Sequence, residues 1–340
     1  MQIKVYYIQQ RGGEMMVMKL TKNFVTIMIT MVVIICGHNN VLAKSKIVFI
    51  PHDNRPISFG QTVESAEGLG YEIVTPPAKL LGNRTDSGKS DEMWQWLFKE
   101  VKTADSVVLS ADSLIYGSLV DSRKHDLALE KVLGRADNFL KLKELNPNVR
   151  VYVFASIMRS PRSSFGGVEP SYYEQYGPSI FAATALEDKA ETVGLSKDEE
   201  KELQKLKELV PSAAFGDWLE RRTKNFKVNS KLVDMVKDND FVYLALGRDD
   251  NAPFSQTRKE SRLLKEQATN VPISKFQCLA GIDELGMVLL TRAINDLSFK
   301  IPLVLVQYAD GVGKDTVPTY SDEAIDKSIW QHLFAAGAVP

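Results

Sequence analysis

The chain has 340 residues, enough for one large or two ordinary domains, and its 44% apolar and 25% charged residues are the balance of a globular protein. A formal net charge of -1 gives no electrostatic case for nucleic acid or for an anionic membrane surface. No His-x-x-His or Cys-x-x-Cys pair, no Gly-x-Ser-x-Gly elbow and no Gly-rich phosphate loop occurs, so a His-based zinc site, a serine-hydrolase elbow and nucleotide binding have no support.

In chain order, Met18-Lys19-Leu20-Thr21-Lys22 is a short basic start. The uncharged apolar run Phe24–Cys36 follows, short of the ~20 residues that span a bilayer. Val41-Leu42-Ala43 then offers small residues for cleavage before Lys44. This predicts a signal peptide, with residues 1–43 set outside the fold, a secreted or extracytoplasmic protein and no stable membrane span after cleavage. Beyond that stretch Cys278 is the single cysteine and sits in an apolar run, the setting of a buried small hydrophobe.

From Lys46 the pattern alternates strand and helix. Ile47–Ile50, Tyr71–Thr75, Val107–Leu109 and Val149–Ala155 read as strands. Phe59–Leu69, Glu92–Val101 and Leu127–Leu145 read as helices. Residues 160–238 hold no convincing strand and read as a helical insertion. In it, a Ser196/Glu199 capping box opens a charged helix to Leu209, and a further helix covers Asp217–Val236. Alternation resumes with strands Phe241–Leu246, Phe276–Ala280 and Ile301–Val306, and with helices Thr257–Leu264 (its own Thr257/Glu260 box), Glu284–Leu297 and Asp322–Ala335. The expected fold is α/β, mainly parallel and Rossmann-like, in two α/β parts, 44–159 and 239–340, about the insertion. The alternative is an incomplete (β/α)₈ barrel with an eighth strand beyond Pro340.

Several strands run into polar clusters: His52-Asp53-Asn54-Arg55-Pro56, Ser110-Ala111-Asp112, Gly247-Arg248-Asp249-Asp250-Asn251 and Gly281-Ile282-Asp283-Glu284. Parallel strands deliver their C-termini to one edge, where ligands bind. The candidate catalytic carboxylates are therefore Asp53, Asp112, Asp249, Asp250 and Asp283. Paired acids can supply an acid and a base or nucleophile. Candidate ligand contacts are Asn54, Arg55, Arg159, Arg248, Asn251 and Glu284, with Tyr116 as a stacking ring. The bland readings are helix capping for Asp53 or Asn54 and for one of Asp283/Glu284, an Asx-turn cap for Asp112, and a solvated face for Arg222, Asn225 and Asn229. Arg292 reads as a salt-bridge partner. No cofactor is expected. A Mg²⁺ or Ca²⁺ site remains open, although no EF-hand spacing is present.

These clusters resemble a bacterial family known as domain of unknown function 4127. The likeness runs from about Lys46 to Pro340. It rests on Asp53-Asn54-Arg55-Pro56, on Ser110 through Arg123 with Asp112, Tyr116 and Gly117, and on Ile157-Met158-Arg159. It also takes in Asn225 with Asn229, Gly247 through Pro253, and Gly281 through Gly286 with Arg292. Ser118 and Ser255 stand where glycine is usual, and Ile282 where a small residue is usual. The resemblance implies a shared functional surface made of these turns, implies no reaction, and implies members that continue past residue 340. The expected function is a secreted carboxylate-based hydrolase of a glycan or cell-wall saccharide. The alternative is a non-catalytic extracytoplasmic protein that binds a glycan or small solute.

Overall fold

The computed structural model describes residues 2–11, 14–17, 44–163, 167–249, 251–308, 313–318 and 321–340. The expected signal peptide and Asp250 lie outside the described residues. The strands are β1 (Gln2–Arg11), β2 (Glu14–Val17), β3 (Lys46–Ile50), β4 (Glu72–Val74), β5 (Ser106–Ser110), β6 (Arg150–Ile157), β7 (Tyr243–Arg248), β8 (Phe276–Ala280) and β9 (Ile301–Gln307).

Six of them form one sheet in the order β4-β3-β5-β6-β7-β8, every pair parallel. This is a doubly wound, Rossmann-like α/β sheet, as the alternation predicts. The chain first builds outward from β3 to β4, then reverses to β5 and onward. The point of reversal lies between β3 and β5, and in sheets of this kind ligands bind outside the strand C-termini at that point.

Strand alternation explains why both faces are covered. Val48, Ile50, Val107, Leu109, Val151, Val153, Leu244 and Leu246 face one way, into a core shared with helices Ser90–Glu100, Leu129–Asp137, Ser212–Lys237 and Gln256–Gln267. Ile47, Phe49, Val108, Tyr152, Phe154, Tyr243 and Ala245 face the other way, against helix Leu285–Ser298. Ile47, Val48, Phe49 and Ile50 are all at 0% exposure. Full burial of such side chains stabilises by about 1.5–3 kcal/mol each, so the continuous apolar run reads as a central strand.

Several expected elements differ in detail. The helix expected over Leu127–Leu145 is two, Leu129–Asp137 and Leu140–Leu145, joined at Asn138-Phe139 with Phe139 buried under Trp94 and Phe241. Helix Tyr173–Thr192, with Pro178 inside it, adds a long helix to the insertion beyond the two expected there. The expected Thr257/Glu260 box is displaced. Ser255 caps helix Gln256–Gln267 by accepting from Arg258 N, while the Thr257 hydroxyl donates to Met158 O and Glu260 pairs with Arg222. The Ser196/Glu199 box forms as expected. β9 is not a seventh strand of the parallel sheet. It pairs antiparallel with β1, in a three-stranded sheet of order β2-β1-β9. No described helix is long and apolar enough to cross a membrane.

Candidate functional site

The turn after β3 is tied to the helical segment after β5. The buried Asp112 carboxylate accepts from Ser156 N at 2.8 Å and from the Ser156 hydroxyl at 2.9 Å, and lies 3.1 Å from His52 Nδ1. Ser110 caps the short helix Ala111–Ile115, and its Oγ is 3.0 Å from the same His52 nitrogen. Ser113 Oγ donates to Pro51 O and His52 O. Asp112 is therefore no Asx-turn cap. It joins β5 to β6, and with His52 it forms a buried pair at the point where the strand order reverses. His52 Nε2 is buried without a hydrogen-bond partner, and Phe154 packs edge-on at 4.7 Å to the ring.

Next to it, Asp53 is buried and accepts from Arg55 Nε at 2.9 Å and from Arg55 N at 3.1 Å. The nearest helix begins only at Gly60, so Asp53 caps nothing. The Arg55 guanidinium, half in solvent, reaches Asp283 at 2.8 Å and so joins the turn after β3 to the turn after β8. Burial, the largest influence on Arg55, opposes its charge, but Asp53 and Asp283 more than offset it and raise its pKa. Helix Leu285–Ser298 makes this junction possible. It crosses beneath the edge, and a side-chain carbon at Gly286 would meet the Phe49 ring at 3.0 Å. Asn54 is exposed beside Arg55, its backbone N–H on Gly82 O.

The third group joins three further turns. Asp249, following β7, lies 3.3 Å from Arg123 and 3.6 Å from Arg159. Arg159, following β6, makes a two-pronged pair with buried Glu169 at 2.6 and 3.1 Å. Arg123 is 3.8 Å from the same Glu169. Two guanidinium groups thus face two carboxylates across the insertion and the sheet edge. Asp249 and Asp283 are the open acids, with side chains 37% and 42% exposed.

The long helix Ser212–Lys237 braces these turns. Arg222, Asn225 and Asn229 do not form a solvated face. All three are buried. They donate to Arg159 O at 3.0 Å, Ser122 O at 2.7 Å and Ser156 O at 3.1 Å, respectively. Each satisfies a carbonyl at or near the C-terminal edge of the sheet, in β6, just after it, or in the segment that follows β5. Arg222 also pairs with Glu260 through two 2.8 Å bonds.

Two expected contacts sit differently. Tyr116 is 8% exposed, and His125 stacks on its ring at 4.8 Å, which leaves little open face for a sugar. Burial first, and then Asp112, raise the Tyr116 hydroxyl well above its ordinary pKa. Arg248 is at 0% exposure, with its guanidinium 2.7 Å from Asp322. It therefore faces the segment before helix Ile325–Ala335. Asn251 donates to Arg248 O at 3.2 Å, and Glu284 lies 3.1 Å from His332. Arg292 pairs with Asp296, as expected. Glu169, Arg123 and Asp322 complete the ion pairs of this edge. None of the three lies in a polar cluster directly after a strand.

The described residues contain no cluster of three or more metal-ligating side chains. What the edge offers is a set of carboxylates and guanidinium groups held against one another, from segments far apart in sequence. No curated protein matches the chain. A family model described as protein of unknown function (DUF4127) matches residues 47–340, which span every candidate residue, and the chain belongs to that family.

Proposed function

We propose that this protein binds a hydroxyl-rich ligand, a glycan or cell-wall saccharide fragment, at the C-terminal edge of its parallel sheet, and does so outside the cytoplasm. The observation that carries the reading is the pairing of the acids. Among the described candidates, Asp53, Asp249 and Asp283 each contact arginine, and Asp112 contacts His52 and Ser156. Each of these four carboxylates is thus already engaged by a protein partner, an arrangement that suits fixed acceptors better than a free acid/base pair. Fixed acceptors at Asp249 and Asp283, with Arg55 and Asn54 as donors beside them, suit recognition of sugar hydroxyls at a sheet edge of this kind. Extracytoplasmic placement is supported by the basic start, apolar run and small-residue site before Lys44.

A carboxylate-based glycan hydrolase is the second reading. It is favoured by Asp249 and Asp283, two solvent-facing acids delivered to one edge from different strands. Binding and product formation are measured together, with a panel of cell-wall saccharides and the exported protein. Saturable binding without new reducing ends, weakened at least tenfold in Asp249→Asn and Arg55→Gln, supports the first reading. Turnover abolished by Asp249→Asn transfers support to the hydrolase. Absence of both binding and turnover across the panel overturns the two together.

A further inference from the structure

We propose that His332, held as an imidazolium, is a positioning residue for the Asp283–Glu284 turn, clamping it below neutrality and releasing it when the ring loses its proton. The functional meaning of the clamp rests on the site reading given above.

His332 Nδ1 lies 2.7 Å from Ser328 O, and Nε2 lies 3.1 Å from Glu284 Oε1. A carbonyl oxygen and an ionised carboxylate can only accept. A neutral imidazole has one N–H and can satisfy only one of them, whereas the cation satisfies both. The geometry is that of the charged ring. The groups around it agree. Glu284 faces it from the start of helix Leu285–Ser298, and Glu323 acts on it from the segment that leads into its own helix. Arg292, the cation on the facing helix, is engaged with Asp296 and with Phe334 O. Burial, the largest influence, pushes the ring's pKa down, but the bonds to Glu284 and Ser328 and the charges of Glu284 and Glu323 more than offset it and raise the pKa above 6.5.

The clamp reaches the site through Glu284. Its carboxylate lies over Gly281, where a side-chain carbon would come within 1.9 Å of Oε1. Gly281 has φ +106°, and its N–H donates to Arg248 O at 2.9 Å. The neighbouring Asp283 holds Arg55. The same C-terminal segment anchors Arg248 through Asp322 at 2.7 Å. Two ties from one segment therefore hold the turns after β7 and β8, and one of these ties carries a titrating group. Lower pH completes the clamp, and higher pH leaves Glu284 with an uncharged partner and one bond fewer.

The test uses the full chain without ligand. Ring nitrogen-15 NMR is expected to show both His332 nitrogens protonated at pH 6, with the pKa falling toward 6.5 in Glu284→Gln. Amide hydrogen exchange over residues 281–286, corrected for intrinsic chemical rates, is expected to quicken at least threefold as pH rises through that pKa. In His332→Gln the segment is expected to exchange at the faster rate at every pH. Glu284→Gln provides the same reading should His332→Gln fold poorly. A neutral ring at pH 6, or exchange with no pH step in the wild-type chain, overturns the proposal. Because no ligand is present, a titrating clamp in a protein that binds no saccharide refutes the site reading and leaves the clamp standing.

Discussion

Asp112 and Asp249 are both acids at strand ends, and burial separates what they do. Asp112 is 1% exposed and serves the Ser156 N–H, the Ser156 hydroxyl and His52. Its removal strands buried donors, and each of those costs about 1–3 kcal/mol. Asp112→Ala is expected to lose about 3–5 kcal/mol of stability by urea unfolding. Asp249 is half in solvent, and its arginine partners retain Glu169. Asp249→Asn is expected to change stability by less than about 1 kcal/mol, so any loss of ligand binding in that variant reports on the site and not on the fold. Gly88 makes the opposite point about small residues. A side-chain carbon there would lie 2.0 Å from Gly117 O and 2.8 Å from Gly82 N, both backbone atoms that cannot swing away. Gly88→Ala is expected to destabilise by about 3 kcal/mol or more, measured by thermal unfolding.

At the scale of elements, local signals and tertiary demands compete. The Ser196/Glu199 box forms at the surface, where Glu199 can serve the Ser196 N–H and Lys189 at once. Ser196→Ala is expected to cost about 1 kcal/mol in the same unfolding measurement. The Thr257/Glu260 pattern is as good locally, yet Thr257 is drawn to Met158 O and Glu260 to the buried Arg222. A buried guanidinium needs its carboxylate more than a helix end needs its cap. Helix Leu129–Asp137 carries Gly134 with nothing within 4 Å of a side-chain carbon. Gly134→Ala is expected to stabilise by up to about 1 kcal/mol, since alanine loses less backbone entropy than glycine in a helix. Helix Ser212–Lys237 is the clearest tertiary override. Its Arg222, Asn225 and Asn229 fit a solvated stripe by spacing, but all three are buried and donate to carbonyls of Arg159, Ser122 and Ser156.

For the whole molecule, buried His125 and partly buried His332 set opposite limbs of the pH dependence. Burial, the largest influence, lowers the His125 pKa below 6.5, with only partial compensation from Asn225. The unfolded chain then binds the proton more readily, and stability falls as pH drops below about 6.5. The raised pKa of His332 acts in reverse, its contribution being complete below 6.5 and lost as pH rises through the folded value. Melting temperature between pH 5 and 9 is expected to peak near pH 6.5. His125→Gln is expected to flatten the acid limb and His332→Gln the alkaline one. The apolar runs, their period and the turns between them determined from sequence alone that this is a parallel α/β protein with acids at its strand ends, because burial on both faces leaves a central strand no polar position. Strand order, the separation of β9 into its own sheet and the pairing of each acid were decided by tertiary structure. Partners such as Arg55 and Asp283, or Arg123 and Asp249, come from opposite parts of the chain, and only closure of the sheet and its helices brings them within reach.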